Sequence, residues 1–103
     1  MTDIYVNTGK KQMTVSVRGH CAHDVCVSVS ALTQALIQYT IDFRDEHAGF
    51  RTEALLFGFG HSLITVFCDD KKLMERYLAG TEAILTGYEV FAQNFPQEIR
   101  LCS

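Results

Sequence analysis

Met13-Thr14-Val15-Ser16-Val17-Arg18-Gly19-His20-Cys21-Ala22-His23-Asp24-Val25-Cys26-Val27-Ser28-Val29-Ser30 is the stretch in which the period of this chain changes. Up to Arg18, apolar and polar residues alternate. Met13, Val15 and Val17 share one face and Thr14, Ser16 and Arg18 the other, the pattern of a half-buried strand. From Val25 the apolar positions recur as Val25, Val29, Leu32, Leu36, Tyr39 and Phe43, the stripe of an amphipathic helix. The junction holds two cysteines, two histidines and an aspartate within seven consecutive residues. That mixture suits thiolate chemistry, which needs a sulfur nucleophile, a base and an orienting carboxylate. Asp24 is expected to act as the N-cap, which makes Val25 and Cys26 the first two helical residues. A thiol in a first turn faces unpaired N–H groups and the positive end of the helix dipole, and both favour the thiolate. His20, just before the turn, is placed to supply or receive the proton.

The same rules organise the rest of the chain. Residues 3–7 alternate, with Ile4 and Val6 on one face, and Thr8-Gly9-Lys10-Lys11 is a turn signal, so residues 3–18 read as a hairpin. His47-Ala48-Gly49 is expected to end the first helix. Residues 50–58 and 61–68 read as two further strands around Gly58 and Gly60. Asp69-Asp70 caps a second helix whose stripe is Leu73, Tyr77, Ile84, Tyr88 and Phe91. Gly80 and Gly87 interrupt that helix, each at up to about 1 kcal/mol relative to Ala, and Gly80 lies where close packing against a neighbour is possible. Pro96 separates this helix from a short last strand over residues 98–102. The expected fold is α+β, with one domain over residues 1–103. In it a five-stranded, mostly antiparallel sheet packs against two helices in the order ββαββαβ.

Composition narrows the function. Hydrophobic residues make up 48% of the 103 residues and charged ones 20%, which suits a folded domain and argues against disorder. A net charge of -3 argues against direct nucleic-acid binding. No run of about 18 apolar residues offers a membrane span, and no signal-peptide pattern opens the sequence. Four cysteines in that setting suggest reduced thiols in the cytoplasm.

Gly19-His20, then Asp24-Val25-Cys26-Val27-Ser28-Val29-Ser30, together with Tyr88 and the ending Phe95-Pro96-Gln97-Glu98-Ile99-Arg100-Leu101, resemble the signature of the ribosomal-processing cysteine proteases, the Prp family. That pattern is Gly-His-Ala, a loop, a Cys at a helix start, a Ser four residues later, and a last helix followed by an Ile-Arg strand. The resemblance spans the whole chain. It implies a homodimeric endopeptidase, without cofactor, that removes the N-terminal extension of a large-subunit ribosomal protein or processes a phage capsid protein. It further implies Cys26 as the nucleophile, His20 as its base, and Ser30 as a support for substrate or thiolate; the Cys26 N–H, with a neighbouring N–H of the short loop, is expected to hold the oxyanion, because helix-start donors are free for that purpose. Only five residues separate His20 from Cys26, which marks a short-loop member and makes His23 the reserve base. Asp24 is then more a cap than a third catalytic group. Cys21 replaces the small residue after Gly-His, an unexpected second thiol.

Other readings stand beside this one. On residue type alone, without the resemblance, Cys26 is better read as a packed helix residue. A catalytically weak dimeric module that recognises a ribosomal or phage protein keeps the same fold. A zinc site of His20, Cys21, His23 and Cys26 has the right ligand types, but four ligands within seven residues strain a tetrahedron, so no metal is expected. Cys68 and Cys102 read as strand packing, and His47 and His61 as surface or loop residues. Phe57 and Phe59 are candidates for contact with a partner or peptide, with core packing the simpler expectation.

Overall fold

The computed structural model of this chain describes residues 1–58 and 60–102; Phe59 and Ser103 lie outside the described residues. Two hairpins, β1 (Thr2–Thr8) with β2 (Gln12–Gly19) and β3 (Phe50–Gly58) with β4 (His61–Cys68), flank α1 (His23–Glu46); α2 (Lys71–Asn94) and β5 (Ile99–Cys102) follow. The strands form one sheet in the order β3-β4-β2-β1-β5. Three neighbouring pairs are antiparallel, and β5 runs parallel to β1. The expected α+β architecture and element order are therefore present. The one parallel pair arises because α2 carries the chain from β4 past β2 and β1 to the far edge, as a parallel partner requires.

Strand alternation decides which side chains meet the helices. Ile4, Met13, Val15, Ile64, Val66 and Cys68 point to the helical layer and are buried. Val25, Val29, Leu36 and Phe43 of α1 and Met74, Tyr77 and Tyr88 of α2 complete the core. Each fully buried aliphatic side chain contributes about 1.5–3 kcal/mol, which makes this layer the main source of stability.

The helices also pack on each other, and here the apolar stripes mislead. Thr33 and Thr40 of α1 and Thr81 of α2 are buried, whereas Leu32 and Tyr39 are only half-buried. The two α1 threonines serve tyrosines on α2: Thr33 Oγ1 lies 2.8 Å from Tyr88 Oη and Thr40 Oγ1 lies 2.7 Å from Tyr77 Oη. Leu32 and Tyr39 occupy space left open by the glycines opposite. A β-carbon on Gly80 would collide with the Tyr39 hydroxyl, and one on Gly87 would sit 2.9 Å from Leu32 Cδ1. The close approach suspected at Gly80 is thus real, and Gly87 shares it.

The start of α1 differs from expectation. Asp70 caps α2 as anticipated, accepting from the N–H groups of Lys72 and Leu73 at 3.0 and 3.2 Å. Asp24 does not cap α1. The helix begins at His23 with Ala22 as its N-cap, and Ala22 provides no side-chain acceptor. Asp24 is the second helical residue, with its carboxylate accepting from the N–H of Val25 at 3.0 Å. At the other end His47 is the C-cap, stacked on Phe43 with ring centroids 4.1 Å apart.

Candidate active site

Where β2 hands over to α1, the backbone is shaped by two glycines. Gly19 has φ 101° and Gly60 φ 79°, the left-handed region that favours glycine. The Gly19 N–H donates to the Gly60 carbonyl at 2.9 Å, tying the end of β2 to the β3–β4 turn. A side chain on Gly19 would run into the Met1 carbonyl. The glycine of the Gly-His pair is therefore required by the fold.

Between this corner and the first turns of α1 lies a cavity of about 30 Å³, room for one or two waters. Cys21, Cys26, Ser30, Gly58 and Gly60 are among the residues that line it. Cys26 and Ser30 also border an open groove of about 570 Å³, together with His23, Val27, Gln34 and Phe57. Cys26 thus stands between a small cavity and a wider surface groove. Its half-burial suits a reactive group more than a sealed core thiol.

His20 stands beside the cavity: a β-carbon on Gly60 would lie 2.7 Å from His20 Nε2. His23 borders the groove rather than the inner cavity. The hydroxyl of Ser28 donates back to the Asp24 carbonyl at 3.0 Å, the ordinary habit of a helical serine. Ser30, by contrast, presents its side chain where cavity and groove meet. Cys68 is buried, with its thiol donating to the Asp70 carbonyl at 3.5 Å, and Cys102 lies on β5; both are away from the site, as expected.

The expected oxyanion donor needs correction. With the helix starting at His23, Cys26 is its fourth residue, and its N–H already donates to the Ala22 carbonyl at 2.8 Å. The donors without an intrahelical partner belong to the first turn, at His23 and Asp24. Side chains on a helix lean toward its N-terminus, so the Cys26 thiol still points to that end.

Glu98 is a residue the sequence reading did not single out. Its Oε2 accepts from the Ala22 N–H at 2.7 Å, across 76 residues of chain. Its carbonyl accepts from the Thr2 N–H at 2.8 Å. One residue ahead of β5 thereby holds the backbone N–H of the N-cap residue and joins the helix start to the first strand. No local pattern announces such a contact, although Glu98 falls inside the quoted Phe-Pro-x-x-Ile-Arg ending.

Burial raises the pKa of the Cys21 thiol, and the Thr2 hydroxyl beside it works in the opposite direction; the nearby Cys26 and Glu98 add to the rise. Among the described residues, no three His, Cys, Asp or Glu side chains are grouped to hold a metal ion. No helix of these residues is long and apolar enough to cross a membrane.

No protein-family model matches the chain. No curated protein matches it by sequence. Solved structures do match by fold. The essential ribosomal processing protease Prp from S. aureus, in complex with a substrate peptide, aligns with a TM-score of 0.63 at 18% identity, covering 98% of this chain and 95% of that one. The same protease with a covalently linked product peptide aligns with a TM-score of 0.52 at 19% identity, covering 97% and 94%. At these identities the likeness is one of fold, and it runs through nearly the whole of both chains.

Proposed function

We propose that this chain is a cysteine endopeptidase that trims a protein precursor of the ribosomal-protein or phage-capsid kind. One observation carries the reading. Half-buried Cys26, near the start of α1, borders at once a small cavity and a peptide-sized groove. The fold shared with a peptide-bound processing protease supports it.

In this mechanism His20 takes the proton of Cys26, the thiolate attacks the scissile carbonyl, and His20 returns the proton to the departing amine as the C–N bond breaks to leave an acyl-enzyme. Water then resolves the acyl-enzyme, with His20 as the base. The oxyanion is held by the first-turn N–H groups of His23 and Asp24, since that of Cys26 is already bonded. Ser30 borders both spaces and orients substrate or thiolate. The peptide lies extended in the groove, where Val27 and Phe57 are 54% and 46% exposed and offer apolar contact. No cofactor enters the reaction, and reduced cytoplasmic thiols suit it. The working unit is a homodimer built on the open sheet face, where exposed Leu56 pairs with Leu63.

The test is cleavage of a precursor peptide by purified protein. Cys26→Ala is expected to abolish cleavage with the fold intact. Cleavage that survives this substitution overturns the reading and leaves a non-catalytic module that binds the same kind of partner.

A further inference from the structure

Cys21 is the thiol that the proposed protease chemistry does not use. Its position follows from where α1 begins. With Ala22 as N-cap, Cys21 is the residue just outside the helix and Cys26 is the fourth residue inside it. Side chains at those two positions meet at helix starts, where two apolar residues commonly form a staple. Here the staple is made of two thiols. Both are free and half-buried, and both line the same cavity of about 30 Å³. Thr2 borders that cavity too, with its hydroxyl beside the Cys21 thiol. The corner is sulfur-rich, with Cys21 packed against the core.

We propose that Cys21 and Cys26 form a two-thiol site that a hydroperoxide converts to an intrachain disulfide, which shields the nucleophile in a form that a dithiol can reverse. The inference rests on Cys26 being the reactive thiol of the proposed protease. The Cys26 thiolate attacks one peroxide oxygen and the O–O bond breaks. Cys26 becomes a sulfenic acid, and the leaving oxygen takes a proton as water or an alcohol. The sulfur of Cys21 then attacks the Cys26 sulfur, the S–O bond breaks, and the departing hydroxide combines with the Cys21 proton as water. The two sulfurs together lose two electrons and the peroxide gains them. A small-molecule dithiol returns both thiols by exchange. Burial keeps Cys21 largely protonated, so it is not the thiol that the peroxide meets first; lining the same cavity as Cys26, it is placed to attack once the sulfenic acid forms and its proton leaves. Without Cys21, nothing stops Cys26 from advancing to the irreversible sulfinic acid.

Trypsin cleavage settles the pairing, because residues 19–44 form one peptide holding Cys21 and Cys26 and no other cysteine. Native protein treated with a modest excess of hydrogen peroxide should yield this peptide lighter by two hydrogens. It should be closed to alkylation at both sites, and reopened by dithiothreitol. Cys21→Ser and Cys21→Ala should give instead a peptide carrying one, two or three added oxygens on Cys26, with labelling not fully recovered by dithiothreitol. Phenylarsine oxide, which bridges paired thiols, should protect both cysteines of the unmodified chain from alkylation and leave Cys26 of either variant open. Oxygenated Cys26 beside an alkylatable Cys21 in the native sequence would overturn the proposal. So would a disulfide to Cys68, to Cys102 or between chains. Peptide cleavage is scored separately on the reduced protein. A chain that closes the disulfide but never cleaves sinks the protease reading alone, and one that cleaves but never closes it sinks this inference alone.

Discussion

Tyr88 of α2 and Thr33 of α1 lie hydroxyl to hydroxyl at 2.8 Å in the core, and Thr33 in turn donates to the Val29 carbonyl at 2.9 Å. A threonine has one proton to give, so Tyr88 is the donor and Thr33 the relay. The two substitutions that break the pair should therefore differ. Tyr88→Phe leaves Thr33 satisfied through Val29 and should cost about 1 kcal/mol, whereas Thr33→Val strands a buried phenol donor and should cost about 1–3 kcal/mol. Urea denaturation of both variants checks the order. An equal or reversed order would show that the relay runs the other way.

The glycines of α2 should resist a change that normally favours helices. Ala is worth about 1 kcal/mol over Gly in a helix, yet a β-carbon at position 80 meets the Tyr39 hydroxyl. Tyr39 has little freedom to retreat, because it stacks on Tyr77 with centroids 5.4 Å apart and donates to the Tyr77 carbonyl at 3.1 Å. Overpacking of this kind costs about 1–3 kcal/mol, so Gly80→Ala should lower the melting temperature. Gly87→Ala meets only the end of the flexible Leu32 side chain and should be closer to neutral.

Glu98 should matter to the site more than its surface position suggests. Removal of its acceptor from the Ala22 N–H by Glu98→Ala should cost about 0.5–1.5 kcal/mol, the usual loss of one hydrogen bond in an exposed setting. Glu98→Gln keeps an acceptor and should recover part of that loss. If the bond also holds the loop before Cys26, iodoacetamide should label Cys26 at an altered rate in Glu98→Ala and at a nearly native rate in Glu98→Gln. Unchanged labelling in both would confine Glu98 to stability.

The two histidines near Cys26 are separable. His20→Ala should lower peptide cleavage by about 10²-fold or more, the ordinary contribution of a positioned general base. His23→Ala, on the groove side, should change cleavage far less. The opposite pattern would transfer the role of base to His23.

Alkaline pH should unfold the domain through the helix interface. Burial raises the pKa of Tyr77 and Tyr88 despite their threonine partners, so each binds its proton more tightly folded than unfolded. Their contribution is fully present below the ordinary tyrosine value of about 10 and is lost as pH rises above it. Thermal melts should therefore hold level toward pH 9 and fall steeply beyond. Tyr77→Phe should soften that fall.

Light scattering tests the proposed dimer. A dimer mass that becomes monomeric in Leu56→Glu would assign the open face of β3 and β4 to the contact. A monomer at micromolar concentration in the unmodified chain would remove the dimer from the proposal.

The strands and both helices were legible because their signals are local. Alternation through Met13, Val15 and Val17 and the Asp70 cap need only a few neighbouring residues to take effect. Asp24 misled for the same reason. It sits before an apolar run just as Asp70 does, but the helix begins one residue ahead of it, with Ala22 as N-cap. Thr33 and Thr40 were invisible as core residues because a hydroxyl is buried cheaply only when a partner is supplied, and theirs come from α2. At the site, Cys26 and Ser30 stand out in the sequence only through the family resemblance, and both line the cavity beside Gly19. The closeness of Cys21 to Cys26 depended on the true first residue of α1.

Residues of a nascent chain emerge in order, and the acceptor for the Ala22 N–H sits just ahead of the last strand. While the chain is being made, the helix bearing Cys26 can form its turns but has no Glu98 at its start. The corner around the thiol is completed only when the final strand docks beside the first, so a partly synthesised chain exposes the cysteine without the surroundings that would put it to use.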